Sequence, residues 1–322
     1  MHNTSPHGAR VTVVVTSYNQ EHWIEQALDS VAEQTERSVQ LIVTDDGSTD
    51  GSCERILRWL AEHDVPGELV ASEHNVGLPA MLNRALPLFR GQYVVVLNGD
   101  DWMASDRLEL QAAALDGAPD RVGLVYSDLR VVDADGVPTG EIYPDSSVER
   151  REGAVLRHII AHPMVGMPSV MVRRDVFDRI GPWDESLIAD DYDFLLRVAA
   201  AGFEFMYLPA LIINYRQYGS SLTGGRAPAL AEGRIQALRK LVGRDPETDT
   251  AIFRRMEGLV VSLHGGGYDH HRTRAHVRYI IRRAPSRRLV RVLIENQLGL
   301  RPGQISPRAL RASVRRRTRR HT

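Results

Sequence analysis

The sequence predicts an α/β fold: a mixed, mostly parallel sheet flanked by helices, followed by a helical C-terminal extension. Three observations carry this. β-branched runs alternate with amphipathic helical stretches from residue 11 to residue 98. Each run ends in a polar loop rich in Asp, Asn, Ser or Gly. Beyond Arg226 the strand-like runs stop and helical periodicity takes over.

Val11 to Thr16 reads as a buried strand and ends in the loop Ser17-Tyr18-Asn19. Glu21 to Ala32 follows, with Ile24, Ala27, Leu28 and Val31 at helical spacing. Val39 to Thr44 is the second strand, closed by Asp45-Asp46-Gly47-Ser48-Thr49-Asp50. The next helix carries Ile56, Leu57, Trp59 and Leu60, and Asp50 or Ser52 suits its N-cap. Leu69 to Ser72 is a third strand. Asn75-Val76-Gly77 then leads into a helix from Pro79 to Phe89, where proline suits the first turn. Tyr93 to Leu97 is a fourth strand. Four strands alternating with three helices predict parallel βαβ units with right-handed crossovers.

Arg107 to Leu115 reads as a helix, Val122 to Val132 as strand, and Asp133-Ala134-Asp135-Gly136 as a hairpin turn. Glu141 to Arg151 is polar and is expected to form a mobile flap. Ser169 to Val172 is a strand, and Asp175 to Ile180 a short helix stopped by Gly181-Pro182. Asp190-Asp191-Tyr192-Asp193 opens a helix that buries Phe194, Leu195 and Val198, and Phe205 to Tyr215 is the last strand. Helices follow over Leu230–Val242, Ile252–Leu263 and Val277–Leu300, the last broken at Pro285, with Gly265-Gly266-Gly267 as a hinge or turn. The change of pattern near Gly224-Gly225 sets the expected division: one domain over residues 1–225 and a helical, arginine-rich region over 226–322.

In a parallel sheet the ends of the first, second and fourth strands share one edge, the edge at which open α/β sheets bind ligands. It gathers Ser17-Tyr18, Asp45-Asp46 and Asn98-Gly99-Asp100-Asp101. An aromatic ring can stack on a base, and a carboxylate can accept a hydrogen bond from a base or ribose. Adjacent carboxylates repel, and a hard divalent cation relieves the repulsion. Solvated turns use the same residue types, so Asn98–Asp101 alone supports either reading. The acids that open the helix at Asp190 likewise have a plain account in the helix dipole. G-x-G-x-x-G and G-x-x-x-x-G-K are both missing, which excludes the dinucleotide fingerprint and the P-loop.

A chain of 322 residues, 43% hydrophobic and 25% charged, has the balance of a globular protein with a substantial core. One cysteine, Cys53, permits no internal disulfide. The polar start lacks the apolar run of a signal peptide, and no run approaches the ~20 residues of a membrane span. A cytoplasmic protein is expected. The net charge of −1 hides an asymmetry: from His270 to Thr322 there are 16 arginines and one acid, Glu295. Such a region suits phosphate, and peripheral contact with an anionic membrane is one use of it; a solvated basic helix is the other account. A nucleic-acid role lacks the expected aromatic-interleaved platform.

These residues form an ordered series that resembles the family 2 glycosyltransferases, inverting enzymes with the GT-A fold. Val13-Val-Val-Thr-Ser-Tyr-Asn19 is similar to the family's opening strand and loop, and Val43-Thr-Asp-Asp-Gly-Ser-Thr-Asp50 to its second-strand signature. Asn75-Val-Gly-Leu78 with Leu82-Asn83 follows. Leu97-Asn-Gly-Asp-Asp101 with Arg107-Leu-Glu109 corresponds to the D-x-D region, and Gly181-Pro-Trp-Asp-Glu185 with Asp190-Asp-Tyr-Asp193 to the acceptor-side E-D-Y-D; Tyr215-Arg216 closes the series. The resemblance covers roughly residues 11 to 223.

The resemblance implies a Rossmann-like GT-A sheet and a nucleoside diphosphate sugar donor. Thr16 and Tyr18 would line the nucleotide pocket, Asp46 would contact the base, and Asn98 and Asp101 would assist donor binding. Asp100 would hold Mn2+ or Mg2+, and Asp191 would be the catalytic base. A glycan or lipid-linked acceptor in cell-envelope or surface polysaccharide synthesis is implied in the same way. Three positions depart from the pattern: Asn98 stands for the first acid of D-x-D, Asp190 for the glutamate of E-D, and Tyr218 where many members carry a histidine. A binding or scaffold protein with a weakened site is the alternative these departures support. A nucleotidyltransferase is a second one, disfavoured by the lack of a basic glycine-rich loop after the first strand.

Overall fold

The structure, a computed structural model, describes residues 8–162, 164–218, 227–265, 270–297 and 300. The chain divides into two compact units, Met1–Ser221 and Leu222–Thr322. The expected boundary at Gly224-Gly225, Gly266-Gly267 of the expected hinge, and the arginines from Arg301 onward lie outside the described residues.

The first unit is built on a nine-stranded mixed sheet. Its nucleus is four parallel strands, β1 (Val11–Ser17), β2 (Val39–Asp45), β3 (Gly67–Ala71) and β4 (Tyr93–Asn98), in the order β3-β2-β1-β4. The crossovers run through helices α1 (Ile24–Ala32), α2 (Ser52–Glu62) and α3 (Leu78–Ala85). The βαβ repetition anticipated from the β-branched runs is therefore present. Strand β1 is buried at every residue, as a strand sandwiched between helical layers must be. Val13, Val15, Leu41, Val43, Val95 and Leu97 pack with Ile24, Leu28 and Ile56 in one continuous core. Each such side chain contributes about 1.5–3 kcal/mol on burial.

Beyond β4 the sheet turns mixed. Strands β5 (Trp102–Met103), β6 (Val122–Val132), β7 (Pro138–Tyr143), β8 (Met171–Arg173) and β9 (Glu204–Arg216) extend the order to β4-β8-β6-β9-β5, with β7 paired to β6. Strand β8 enters antiparallel to β4, while β6 and β9 run parallel. Helices α4 (Arg107–Asp116), α5 (Leu156–Ala161), α6 (Asp175–Ile180) and α7 (Asp190–Ala200) accompany them.

The expected flap at Glu141–Arg151 is a correction. Its first three residues belong to β7, and Arg150 fastens the remainder. The Arg150 guanidinium donates to Asp128 Oδ1 at 2.9 Å and to the carbonyls of Pro144 and Asp145 at 2.6 and 3.0 Å. Tyr126 adds a hydrogen bond from its hydroxyl to Arg151 O at 2.9 Å. A polar segment reads as loose when the cation that gathers its carbonyls lies inside it and the anion lies in a distant strand.

The second unit is helical, with α8 (Ala227–Arg239), α9 (Pro246–Gly265), α10 (His270–Ile281) and α11 (Arg287–Gln297). The break anticipated at Pro285 separates α10 from α11. Among the described residues, no helix is long and apolar enough to cross a membrane.

Candidate functional site

The three polar strand ends come together because their strands are in register. Ser17 of β1 lies opposite Asp45 of β2, and Thr16 lies opposite Asn98 of β4. Side-chain bonds then lace the loops. Ser48 Oγ accepts from Asn19 N at 2.9 Å while Ser48 itself donates to both oxygens of Asp45. Asn19 Oδ1 accepts from Thr49 N at 2.9 Å, and Asp50 Oδ2 from Glu21 N at 3.1 Å. Asn19 holds a positive φ of 53°, a conformation asparagine tolerates better than most residues.

Tyr18 projects from this framework and is 45% exposed, so its ring is open to a planar partner. Thr16 is buried, and its carbonyl accepts from Gly99 N at 2.8 Å. Asp46 is also buried, and its two carboxylate oxygens accept from Val76 N and Gly77 N at 2.7 and 2.9 Å. Asp46 therefore fixes the Asn75-Val-Gly loop, and each oxygen retains a second lone pair.

The two aspartates after β4 have different surroundings. Asp101 is fully buried; it accepts from Arg216 N at 2.9 Å and from Asn98 Nδ2 at 3.1 Å. Asn98 thus ties down Asp101 within the loop. Burial and the adjacent Asp100 push the Asp101 carboxyl well above the usual range. Asp100 is half-buried, and burial raises its pKa too, against the hydrogen bond that Tyr218 Oη donates to its Oδ2 at 2.9 Å.

Arg216 locks this corner. Its Nε donates to Asp100 O at 2.9 Å and its Nη2 to Gln26 Oε1 at 2.7 Å. Its guanidinium lies over the rings of Trp102 and Trp23, at 4.9 and 5.5 Å from their centroids. Tyr218 in turn packs against Trp23, the ring centroids 4.6 Å apart and the planes tilted by 37°. Sequence reasoning missed Trp23, Gln26 and Trp102. They meet Arg216 across more than a hundred intervening residues, and no local pattern announces such a contact.

Asp191 stands on the first turn of α7 and is exposed. Its Oδ1 accepts from Tyr192 N at 2.6 Å. The neighbouring Asp190 is the perturbed one: burial, then repulsion from Asp191, push its pKa up to about 7. Asp193 is buried and paired with Arg197 at 2.8 Å, so its part is structural. The loop that leads into α7 is held by Asn83, which exchanges hydrogen bonds with the backbone of Trp183 and donates to Glu185.

The donor set suits a hard cation in one respect only. Asp100 is a partly open carboxylate whose burial makes charge compensation favourable, but the described residues hold no cluster of three or more His, Cys, Asp or Glu side chains that could hold a metal ion by themselves. A cation here would need oxygens from a bound diphosphate and water.

The sequence profile of glycosyl transferase family 2 matches residues 12–181, more than half of the chain. The chain belongs to glycosyl transferase family 2. A second profile, glycosyl transferase family group 2, matches residues 157–290 of this glycosyltransferase. An uncharacterised glycosyltransferase of Methanocaldococcus jannaschii is 27% identical over 210 residues, which span 64% of this chain and 70% of that protein. TuaG of Bacillus subtilis, named a putative teichuronic acid biosynthesis glycosyltransferase, is 26% identical over 217 residues, 67% of this chain and 82% of TuaG. Mycobacterial relatives are longer: the match, 29% identical over 215 residues, spans 66% of this chain and 60% of theirs.

Among solved structures, Staphylococcus aureus TarS residues 1–349 with UDP-GlcNAc superposes with a TM-score of 0.66 over 90% of this chain and 92% of that one, at 16% identity. The mannosyltransferase PcManGT of Pyrobaculum calidifontis with GDP-Man and Mn2+ gives 0.58 over 92% and 89%, at 22% identity. The fold is thus GT-A.

Proposed function

We propose that this glycosyltransferase moves a sugar, with inversion, from a nucleoside diphosphate sugar to a hydroxyl of a glycan or lipid-linked acceptor in cell-envelope or surface polysaccharide synthesis. One observation carries the reading: the in-register strand ends bring Tyr18, Asp46, Asn98 and Asp100 to one sheet edge. The likeness to TuaG supports the polymer context, and the fold shared with TarS bound to UDP-GlcNAc and PcManGT bound to GDP-Man supports the donor class.

Tyr18 stacks on the base and Thr16 lines the pocket below it. Asp46 takes a base N–H on its remaining lone pairs. Asn98 and Asp101 keep the loop in shape for the ribose and diphosphate. Asp100 is the protein ligand for Mn2+ or Mg2+, which when bound neutralises charge on the departing diphosphate. Asp191 takes the proton from the acceptor hydroxyl as that oxygen attacks the anomeric carbon. The arginine-rich C-terminal region suits an anionic membrane face beside which lipid-linked acceptors lie.

The test is a thermal-shift screen of nucleoside diphosphates and their sugars, with and without Mn2+, followed by NMR of the product anomer. A stabilising donor whose sugar appears in product with inverted configuration supports the reading, and retained configuration overturns the mechanism. Donor binding without transfer or hydrolysis would favour a binding protein instead, the reading to which the Tyr218–Asp100 bond lends weight.

A further inference from the structure

We infer that the turn between α10 and α11 is a docking surface for an anionic phospholipid bilayer. This deepens the membrane reading above by assigning it to five described residues rather than to the arginine-rich region at large. Arg278, Arg282, Arg283, Arg287 and Arg288 are all exposed within one helix end, one turn and one helix start. The apolar residues between them, Val277, Ile280, Leu289 and Val292, are buried. The arginines therefore occupy the outward side of a corner whose inward side is core.

The corner has a defined shape. Ser286 Oγ accepts from Arg288 N at 3.1 Å, capping α11, and donates to Glu257 Oε1 at 2.6 Å. Tyr279 lies against the guanidinium groups of Arg239 and Arg283, each 4.1 Å from its ring centroid.

The charge is compensated only in small part, by the carboxylate of Glu257 on Ser286. Across the first unit, arginines such as Arg10, Arg55, Arg121, Arg150 and Arg197 pair with carboxylates. At the corner, no ion pair joins any of the five arginines to a carboxylate among the described residues. Glu257 accepts from Ser286 Oγ at the corner itself, and two further acids are engaged elsewhere. Glu295 is buried and pairs with Arg291 and His264, and Glu232 pairs with Arg272 and His276. Five exposed arginines on one corner, against the single carboxylate of Glu257, match a surface of phosphates, and guanidinium groups bind phosphate through paired N–H donors. A single-stranded nucleic acid would need exposed aromatic faces, and Tyr279 already carries two guanidinium groups.

The test is co-sedimentation of the full chain with phosphatidylcholine vesicles, with and without phosphatidylglycerol, at low and high salt. The chain should bind only the phosphatidylglycerol vesicles and release at high salt. The variant R282E/R283E/R287E/R288E should bind at least about tenfold more weakly, since each surface arginine adds about fivefold. It should keep the wild-type melting temperature. If that variant melts early, the same four positions changed to Gln are measured in its place. Wild-type binding by the corner variant, with loss on reversing Arg315, Arg316, Arg317 and Arg319, would overturn the assignment. Preference for RNA over vesicles would also overturn it, as would equal binding to phosphatidylcholine alone. Donor-dependent thermal shifts on the same samples report separately on the glycosyltransferase reading, which survives either result.

Discussion

The side-chain amide of Asn83 holds the backbone of Trp183 from both directions. Its Oδ1 accepts from Trp183 N at 2.8 Å, and its Nδ2 donates to Trp183 O at 2.9 Å. The same Nδ2 reaches Glu185 Oε1 at 2.9 Å. A residue on the helix after β3 thereby sets the loop that delivers Asp190 and Asp191. Asn83→Ala is expected to cost about 1–3 kcal/mol of stability by stranding the Trp183 groups. It should lower kcat and leave nucleoside diphosphate affinity within a few-fold. Unchanged kcat in a folded variant would show that the loop holds its place without Asn83.

Asp191→Asn and Asp100→Ala are expected to separate chemistry from binding. The first should reduce transfer by about 100-fold or more, the scale of a general base, with donor binding preserved. The second should weaken Mn2+-dependent binding of the nucleoside diphosphate. Calorimetric titration beside a transfer assay distinguishes them; full turnover by Asp191→Asn removes that residue from the role of base.

Tyr218 donates to Asp100, so Tyr218→Phe should release the carboxylate and cost about 1–2 kcal/mol in thermal stability. Tyr218→His replaces the phenol with a nitrogen lone pair suited to Mn2+ and should tighten Mn2+ in the presence of nucleoside diphosphate by about tenfold. Electron paramagnetic resonance titration of Mn2+ reads this directly, and equal Mn2+ affinity across the three proteins would argue that Asp100 holds no cation.

Asp190, pushed up to about 7 by burial and Asp191, predicts a pH signature. The folded state holds this proton more tightly than the unfolded chain does. Stability is therefore greatest below the ordinary carboxyl range and is lost as pH rises toward 7. Asp190→Asn cannot ionise and should escape that loss. Relative to wild type it should gain on the order of 1–2 kcal/mol at about pH 8 and much less at about pH 4.5. Thermal melts at the two pH values decide it, and an equal gain at both would mean that Asp190 ionises normally.

Gly99 has no room for a side chain. An added Cβ would lie 2.3 Å from Gln20 Oε1, 2.8 Å from Ile24 Cδ1 and 2.9 Å from Thr16 O. Gly99→Ala should destabilise the fold by about 1–3 kcal/mol and displace the Asn98–Asp101 turn, weakening nucleotide binding as well. Gly140→Ala meets nothing within 4 Å and differs only by its positive φ, so it should lower stability without touching binding.

The parallel half of the fold was legible because its signals are local. Strands β1, β2 and β4 are rich in β-branched and apolar residues, and each ends where Ser17, Asp45 or Asn98 turns the chain polar. Strand β5 was not legible: two residues, Trp102 and Met103, become a strand only by pairing with Asn214 and Ile213. The expected flap failed for a related reason, since its anchor is Asp128. Within the site, the residue types at Tyr18, Asp46 and Asp100 were readable, but their partners were not. Nothing near Asp101 in sequence says that it holds the backbone of Arg216. Asp190 drew notice as a helix-opening acid and as a shorter acid than expected, but not for its raised pKa, which depends on how α7 is seated.

The sheet has a seam. Only three residue pairs, Tyr93–Arg173, Val94–Val172 and Val95–Met171, join β4 to β8. All four strands on one side precede Gly99, and every strand on the other side follows Asp101. A genetic exchange at this point would replace one half of the sheet whole. The half bearing Tyr18 and Asp46 would keep its own pairing, provided the incoming half supplied three matching strand residues, a backbone N–H for Asp101, and partners for Trp23, Gln26 and Asn83. The architecture is therefore open to recombination, with the few contacts that cross this seam as the condition for a working hybrid.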